Sequence, residues 1–151
     1  MGTDGVQPLS KEERIRQFGE VFTPEHIVTR MCDMLEQENY GCFEPGTTFL
    51  EPTCGDGAFV LEILRRKFLR CSHRKDYTEA LRSVYGMEIQ ADNVQKTIAR
   101  VTELCREYFT PTKLEIQIIS DHVIQADSLK VMRMIADMNE REKRNQPTRE
   151  A

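Results

Sequence analysis

The segment 48–60, TFLEPTCGDGAFV, places a short apolar strand before an acidic turn that opens directly into a helix. Gly55 and Gly57 let the backbone turn sharply and approach a ligand closely, because a Cβ atom there would collide. Two interpretations are open at this point. The turn is either a nucleotide-type cofactor site or a strand-turn-helix connection that requires small residues.

The acidic residues of this turn bear on which ligand it would bind. Glu51 and Asp56 would repel a pyrophosphate, and they suit a cationic or hydroxyl-rich ligand. S-adenosyl-L-methionine carries an ammonium, a sulfonium and a ribose, so the turn predicts this cofactor in preference to a dinucleotide.

Composition predicts one ordinary soluble domain. The chain has 151 residues, of which 39% are hydrophobic and 30% charged, enough for a core of its own. No apolar run reaches the roughly 18 residues that a membrane span needs, and the N-terminus lacks the pattern of a signal peptide. We therefore expect a cytoplasmic protein without membrane contact.

Five cysteines are an odd and scattered set, which predicts neither a disulfide framework nor a C-x-x-C zinc site. Cys71 and His73 are the one close Cys/His pair, too few ligands for zinc, so no metal is expected. The net charge of −4 argues against strong DNA binding, so any DNA contact should be weak or indirect. A basic group after the glycine turn is interpreted as a solvated, dipole-stabilised helix end in preference to a nucleic-acid patch: Arg65, Arg66, Lys67, Arg70, Arg74 and Lys75.

Hydrophobic periodicity predicts alternating strands and helices. Thr23 suits the N-cap of a helix that begins at Pro24 and ends near 39–41. The buried face of that helix is predicted to contain Ile27, Val28, Met31, Met34 and Leu35. The remaining predicted elements are a short helix at 11–17, strands at 48–51, 83–89 and 122–126, and helices at 58–69, 91–108 and 130–144, with a polar linker before 83 and an undecided segment at 116–119.

This order predicts right-handed crossovers and a parallel sheet, with a ligand at the carboxyl ends of the strands. Glu51, Glu88 and Asp127 would then meet at one edge of the sheet. Glu88 is placed to accept hydrogen bonds from both ribose hydroxyls, and Asp127 to meet an adenine amino group. Singly, each acid is more often a helix cap or a solvated turn residue than a ligand contact, but three in register favour a nucleoside site.

Four segments resemble the motifs of the N6-adenine DNA methyltransferases, particularly modification subunits of restriction-modification systems. They are 19–24 (GEVFTP), 51–59 (EPTCGDGAF), 85–89 (YGMEI) and 126–129 (ADSL), in the family's order. The resemblance implies a partial Rossmann-like class I methyltransferase fold, α/β, with about three parallel strands flanked by helices. It implies cofactor contacts from Phe22, Thr23, Pro24, Glu51, Pro52, Cys54, Gly55, Gly57, Phe59, Glu88, Ile89, Asp127, Ser128 and Leu129.

The family's catalytic motif, a D/N/S-P-P-Y/F/W turn after a fourth strand, has no match here. The chain contains no Pro-Pro pair, and the nearest candidate, 145–148, lacks the aromatic residue and does not follow an apolar strand. No catalytic residue is therefore assigned. We expect a polar arm at 1–17, a cofactor-binding domain at 18–144 and a frayed tail at 145–151.

Strand one should form an exposed edge, since the fourth strand that would flank it is missing. We expect a second copy or a complementing methyltransferase subunit to cover this edge. The function predicted is the S-adenosylmethionine-binding portion of an adenine methyltransferase that needs a catalytic half from another chain or from missing sequence. The alternative is a non-catalytic binding module for regulation or assembly, and a remnant that binds nothing is a third possibility.

Overall fold

A computed structural model describes residues 7–18 and 20–147. Gly19 of the predicted 19–24 motif, the first six residues of the arm and the end of the tail, 148–151, lie outside the described residues. The helices are α1 (Lys11–Phe18), α2 (Glu25–Glu38), α3 (Ala58–Leu69), α4 (Arg74–Ser83), α5 (Ala91–Tyr108), α6 (Lys113–His122) and α7 (Ser128–Asn145). The strands are β1 (Phe49–Glu51), β2 (Val84–Glu88) and β3 (Val123–Gln125).

The three strands form a parallel sheet in the order β1-β2-β3. Phe49 pairs with Val84, and Gly86 pairs with Val123. The predicted α/β class, with a short parallel sheet flanked by helices, is confirmed. In the described part of the chain β1 pairs on one side only, as expected for an edge strand.

The helices α3 and α5 pack on one face of the sheet. A Cβ atom on Gly86 would come within 3.1 Å of the Cys54 Sγ and 3.5 Å of Val60 on α3. Because strand side chains alternate, Val84, Gly86 and Val123 face these helices. The core contains mainly these buried residues: Val60, Ile63, Leu64, Phe68, Leu81, Val84, Val94, Val101, Leu104, Cys105, Ile118, Ile119 and Val123.

The opposite face of the sheet carries apolar side chains that the described residues leave partly uncovered. Leu50 pairs with Tyr85, and Met87 pairs with Ile124, so the four share this face. Leu50 is 48% exposed and Ile124 is 43% exposed. Tyr85 stacks on the ring of His122 with centroids 4.2 Å apart. Met87 is only 5% exposed, so the sheet is packed on one side and partly open on the other.

The basic group after the glycine turn forms ion pairs within the protein. Arg66 reaches Asp33 at 2.6 Å and Glu62 at 2.9 Å, which joins α2 to α3. Arg70 pairs with Glu36 and, at 2.7 Å, with Glu44. The prediction of a solvated helix end was wrong for these arginines, because acidic side chains from neighbouring elements meet them.

Lys67 is the most buried member of this basic group. Its Nζ donates to the carbonyl oxygens of Glu44 at 2.7 Å, Pro45 at 3.2 Å and Thr47 at 2.5 Å. It also lies 5.3 Å from the centre of the Phe49 ring. Burial lowers the pKa of Lys67 to about 8. The side chain secures the loop that leads into β1.

Helix α2 begins one residue later than expected and buries a narrower face. Pro24 is the N-cap, with no side-chain capping bond, so the predicted cap at Thr23 was wrong. The buried residues of α2 are Val28 and Cys32, and Leu35 packs against the core. Three residues predicted to be buried are exposed: Ile27, Met31 and Met34. Periodicity marks an apolar arc of the helix, but only the side that faces α3 is covered.

The predicted polar linker before β2 is a helix, α4. Asp76 accepts the backbone N–H groups of Ser72 at 2.9 Å and His73 at 2.8 Å, which stabilises the first turn. Few apolar residues signal this helix, although Ala80 and Leu81 are buried. The undecided segment 116–119 lies within α6, which Thr112 and Glu115 cap at its N-terminus.

Helix α7 has no buried residue. Its apolar stripe is exposed along the predicted helical period: Leu129, Met132, Ile135 and Met138. The expected helix is confirmed, and it ends at Asn145, where fraying was predicted to begin.

None of the helices within residues 7–18 and 20–147 combines the length and the apolar character needed to cross a membrane.

Candidate functional site

A cavity of about 430 Å³ opens at the carboxyl ends of the three strands. Residues from four parts of the chain line it, including the segment before α2, the glycine turn, the end of β2 and the start of α7. The lining residues are Gln17, Phe18, Glu20, Val21, Phe22, Pro52, Thr53, Gly55, Glu88, Ile89, Ala126, Asp127, Ser128 and Leu129. Three of them are carboxylates, and none is a lysine or arginine, so the cavity favours a cationic or hydroxyl-rich ligand.

The glycine turn is held in place by β2 and α5. The Cys54 N–H donates to the Met87 carbonyl at 2.9 Å. Thr97 on α5 donates its hydroxyl to the Gly55 carbonyl at 3.1 Å. Arg100, also on α5, donates to the Asp56 carbonyl at 2.8 Å. These bonds fix the backbone that forms the cavity wall.

Both glycines of the turn have positive φ angles, +53° at Gly55 and +97° at Gly57. The Phe22 ring lies 3.2 Å from where a Gly55 Cβ would be, and Thr97 lies 2.9 Å from where a Gly57 Cβ would be. Other side chains would therefore be strained at both positions and crowded by these neighbours. Gly55 lets Phe22 close over the turn, and Gly57 serves as the N-cap of α3.

Glu88 connects the end of β2 to the glycine turn. Its Oε2 accepts the Gly55 N–H at 2.9 Å, and its Oε1 accepts the Gln90 N–H at 3.0 Å. The residue is only 8% exposed, yet it lines the cavity. Because each carboxylate oxygen can accept more than one hydrogen bond, Glu88 retains capacity for ligand hydroxyls.

Two of the three predicted acids reach the cavity. Asp127 lines it while capping α7, where it accepts the Leu129 N–H at 3.1 Å and the Lys130 N–H at 3.4 Å. Glu51 instead accepts the Thr53 N–H of its own turn at 3.2 Å and does not line the cavity. Asp56 pairs with Arg100 at 3.1 Å, so the acidity of the cavity comes from Glu20, Glu88 and Asp127.

Eight of the predicted cofactor residues line the cavity: Phe22, Pro52, Gly55, Glu88, Ile89, Asp127, Ser128 and Leu129. The other six lie around it. Cys54 is buried against Gly86, Phe59 packs on the core, and Gly57 caps α3. Glu51 and Pro24 shape the flanking segments, and Thr23 lines a separate cavity of about 260 Å³.

That smaller cavity lies between α2 and α3, with Phe22 in the wall of both cavities. Arg65 there pairs with Glu62 at 2.7 Å, and the pair of Arg100 with Asp56 lies in the same wall. Both arginines of the smaller cavity already pair with protein carboxylates, so they are less available to an anionic ligand. The larger cavity is therefore the candidate site.

Sequence reasoning missed six lining residues: Gln17, Phe18, Glu20, Val21, Thr53 and Ala126. Four of them, Glu20, Val21, Thr53 and Ala126, lie inside the motifs 19–24, 51–59 and 126–129, so motif membership was a signal that could have found them. Gln17 ends the predicted polar arm and Phe18 begins the predicted binding domain, and one apolar residue at the end of a charged helix gave little reason to expect a role.

The cysteines beside the site are poor nucleophiles. All five cysteines are free. Burial, and after it the negative charge of Glu88, raises the pKa of the Cys54 thiol to about 12. Because the thiolate is the reactive form, Cys54 is inert at neutral pH. Within residues 7–18 and 20–147, no three His, Cys, Asp or Glu side chains are grouped so as to hold a metal ion.

Comparison with known proteins supports a methyltransferase relationship. The chain is 30% identical over 106 residues to the Type II methyltransferase M.VspI of Vibrio sp. (strain 343). The aligned region is 68% of this chain and 22% of that protein, so the chain spans less than a quarter of the relative's length. No family model matches the sequence. No solved structure matches it either.

Proposed function

We propose that the cavity binds S-adenosylmethionine and that the chain is the cofactor-binding portion of an adenine-N6 DNA methyltransferase. The observation that carries the proposal is the acidic cavity at the carboxyl ends of β1, β2 and β3, with Glu88 in its wall. Parallel α/β sheets bind ligands at this edge. The four motif resemblances and the similarity to a Type II methyltransferase support the same class.

Each part of the cofactor has a partner of suitable chemistry in this proposal. Glu88 accepts hydrogen bonds from the ribose hydroxyls, and Asp127 with Ser128 and Leu129 holds the adenine. Phe22, Gly55 and the acidic wall accommodate the methionine part, whose ammonium and sulfonium are cationic. When bound, the cofactor supplies the methyl group. The residues of this chain orient it and shield it from water.

Methyl transfer to DNA would require residues that this sequence does not contain, since it has no Pro-Pro turn. We propose that a catalytic half comes from another polypeptide or from sequence outside this chain. The unpaired side of β1 and the open face with Leu50 and Ile124 support this proposal, because a partner strand and its helices would cover both. A second copy of the chain is the other candidate partner. The five free cysteines favour a reducing compartment such as the cytoplasm.

The alternative function is a non-catalytic module that binds S-adenosylmethionine for regulation or assembly. The missing Pro-Pro turn is the observation that favours it. Methyl transfer to adenine-containing DNA distinguishes the two. We expect none from the isolated chain, and transfer when a polypeptide with a D/N-P-P-Y turn is added and forms a complex with it. A complex that binds cofactor but stays inactive would favour the module.

Isothermal titration with S-adenosylmethionine tests the binding proposal. We expect saturable heat for the wild type and an affinity at least tenfold weaker for Glu88→Gln, because the neutral amide is a poorer acceptor for the ribose hydroxyls. Glu103→Gln, which removes an exposed charge on α5, is the matched control and should bind normally. A wild type that gives no heat at millimolar cofactor would refute the proposal.

A further inference from the structure

Arg14 ties helix α1 to α5 by bridging two carboxylates. Its guanidinium donates to Glu20 Oε2 at 2.7 Å and 3.1 Å, and to the two Asp92 oxygens at 2.6 Å and 3.0 Å. Helix α1 has no buried residue, so packing contributes little to its position. The bidentate fork of one arginine is the principal bond that the described residues show between α1 and α5.

Asn93 supplies a further hydrogen bond to Glu20. Its Nδ2 donates to the same Oε2 at 2.9 Å. Asn93 is fully buried, and within the described residues its Oδ1 has no hydrogen-bond partner. The opposite amide orientation would place Oδ1 against the carboxylate and repel it. Among the described residues the fold thus leaves one buried carbonyl oxygen unpaired, which is unfavourable, while the amide nitrogen holds Glu20.

These bonds occupy one oxygen of Glu20 and leave the other accessible. All three donor atoms reach Oε2, and no hydrogen bond from the described residues reaches Oε1. The Glu20 side chain is 14% exposed, so the carboxylate is partly accessible to solvent or to a ligand. Glu20 lines the same cavity as Glu88, Gln17 and Phe18.

We propose that Glu20 is a ligand-contacting residue that favours a cationic ligand, and that Arg14 is the residue that positions it. This inference rests on the proposed cofactor site and deepens it. Arg14, Glu20 and Asp92 together carry one net negative charge, so the Arg14 cation does not cancel the attraction. Three hydrogen bonds converge on Oε2, two from Arg14 and one from Asn93, and they restrict the orientation of the Glu20 carboxylate. The pair of Arg14 with Asp92 holds α1, which ends with Gln17 and Phe18, beside α5.

Glu20→Gln tests the contact, with Glu12→Gln as the matched control. Both changes remove one negative charge close to or on α1, but Glu12 is exposed and does not line the cavity. The probes are S-adenosylmethionine, which is cationic at its sulfonium and ammonium, and adenosine, which carries neither group. We expect Glu20→Gln to weaken S-adenosylmethionine roughly fivefold and adenosine less than twofold. Glu12→Gln should change neither affinity.

Arg14→Lys tests the positioning role, with Arg16→Lys as its control. Lysine keeps the charge but lacks the planar fork that reaches both carboxylates at once. We expect Arg14→Lys to weaken S-adenosylmethionine roughly threefold and to have little further effect in a Glu20→Gln background. Thermal unfolding of each variant checks that the fold is intact.

Equal losses for both ligands in Glu20→Gln, or equal effects of Glu20→Gln and Glu12→Gln, would overturn the inference while leaving the cofactor site standing. Additive effects of Arg14→Lys and Glu20→Gln would overturn the positioning role. A wild type that binds neither probe would refute the cofactor site, and this inference with it.

Discussion

The two faces of the sheet differ sharply in how they are covered. On one face, α3 and α5 bury a continuous core, and arginines join α2 to α3. On the other, Leu50 and Ile124 are exposed, and the nearby chain continues into α7, whose apolar stripe is exposed as well. One side resembles the interior of a complete domain. The other has apolar side chains that the described residues cover only in part, with Met87 buried but Leu50 and Ile124 exposed.

The difference shows that apolar pattern and burial are separate properties. Helix α7 has a regular apolar stripe, yet that stripe and Ile124 of β3 are exposed, because no element of the described residues covers them. Contiguous exposed apolar surface on a protein usually marks an interface. Matched substitutions on the two sides should therefore differ in how much they lower the free energy of unfolding.

A matched pair of truncations should give the largest contrast. Leu64 on α3 is 2% exposed, and Ile135 on α7 is 47% exposed. We expect Leu64→Ala to lower the free energy of unfolding by about 3 kcal/mol, since it leaves a cavity in the core. Ile135→Ala should change it by less than about 0.5 kcal/mol. Urea denaturation of both variants measures the difference, and comparable losses would show that α7 packs against the domain in solution.

Two glycines with positive φ provide the second test, Gly57 in the turn beside the cavity and Gly41 in the turn after α2. Gly57 and Gly41 have φ of +97° and +85°. Alanine is strained at both, but only at Gly57 does the new Cβ meet a close neighbour, Thr97 at 2.9 Å. We expect Gly57→Ala to cost about 2 kcal/mol and Gly41→Ala about 1 kcal/mol. Thermal unfolding gives the comparison. Equal costs would mean that Thr97 moves aside freely.

The smallest expected effect concerns Glu115. This residue is in the first turn of α6, and its carboxylate accepts hydrogen bonds from Arg74 and Thr78 of α4. Burial raises the pKa of this carboxyl, but hydrogen bonds from Thr112 and Arg74 outweigh it and hold the pKa at about 2. A depressed folded-state pKa contributes stability above the usual pKa near 4.5 that is lost as the pH falls toward 2. The contribution is roughly 1 kcal/mol after allowance for the exposed Arg74.

Glu115→Gln should therefore flatten the fall in unfolding free energy between about pH 4.5 and pH 2, relative to the wild type. Denaturation at a series of pH values measures this. Glu140→Gln, on the exposed helix α7, should leave the wild-type profile unchanged. An identical profile for Glu115→Gln and the wild type would contradict the role of this carboxyl.

Much of the fold could be predicted from the sequence where local signals were strong. The helices α3 and α5 begin and end where periodicity placed them, and the parallel strands follow from the strand-helix alternation. Helix α4 was missed because only Tyr77, Ala80 and Leu81 mark its inner side. The segment 116–119 was undecided because a short apolar run suits either structure, and the capping residues Thr112 and Glu115 were the signal that would have decided it.

The candidate site was predictable where its residues follow a strand or form a tight turn. Glu88, Asp127 and Gly55 lie at strand ends or in a tight turn, where sequence position implies spatial position. Beside Glu20 and Phe18, Arg14 pairs with Asp92, 78 positions further along the chain. A contact over that separation leaves no periodic trace in the sequence.

The sequence by itself determined the class of the fold, the glycine turn and the carboxylates at the strand ends, because backbone geometry and side-chain period act between near neighbours. Only the tertiary structure decided which acid faces the cavity, which basic residues are paired and which apolar face is covered. Glu51 bonds within its own turn, whereas Glu20 enters the cavity wall. Those outcomes depend on which side chain lies nearest in space, and that is set by the packing of whole elements.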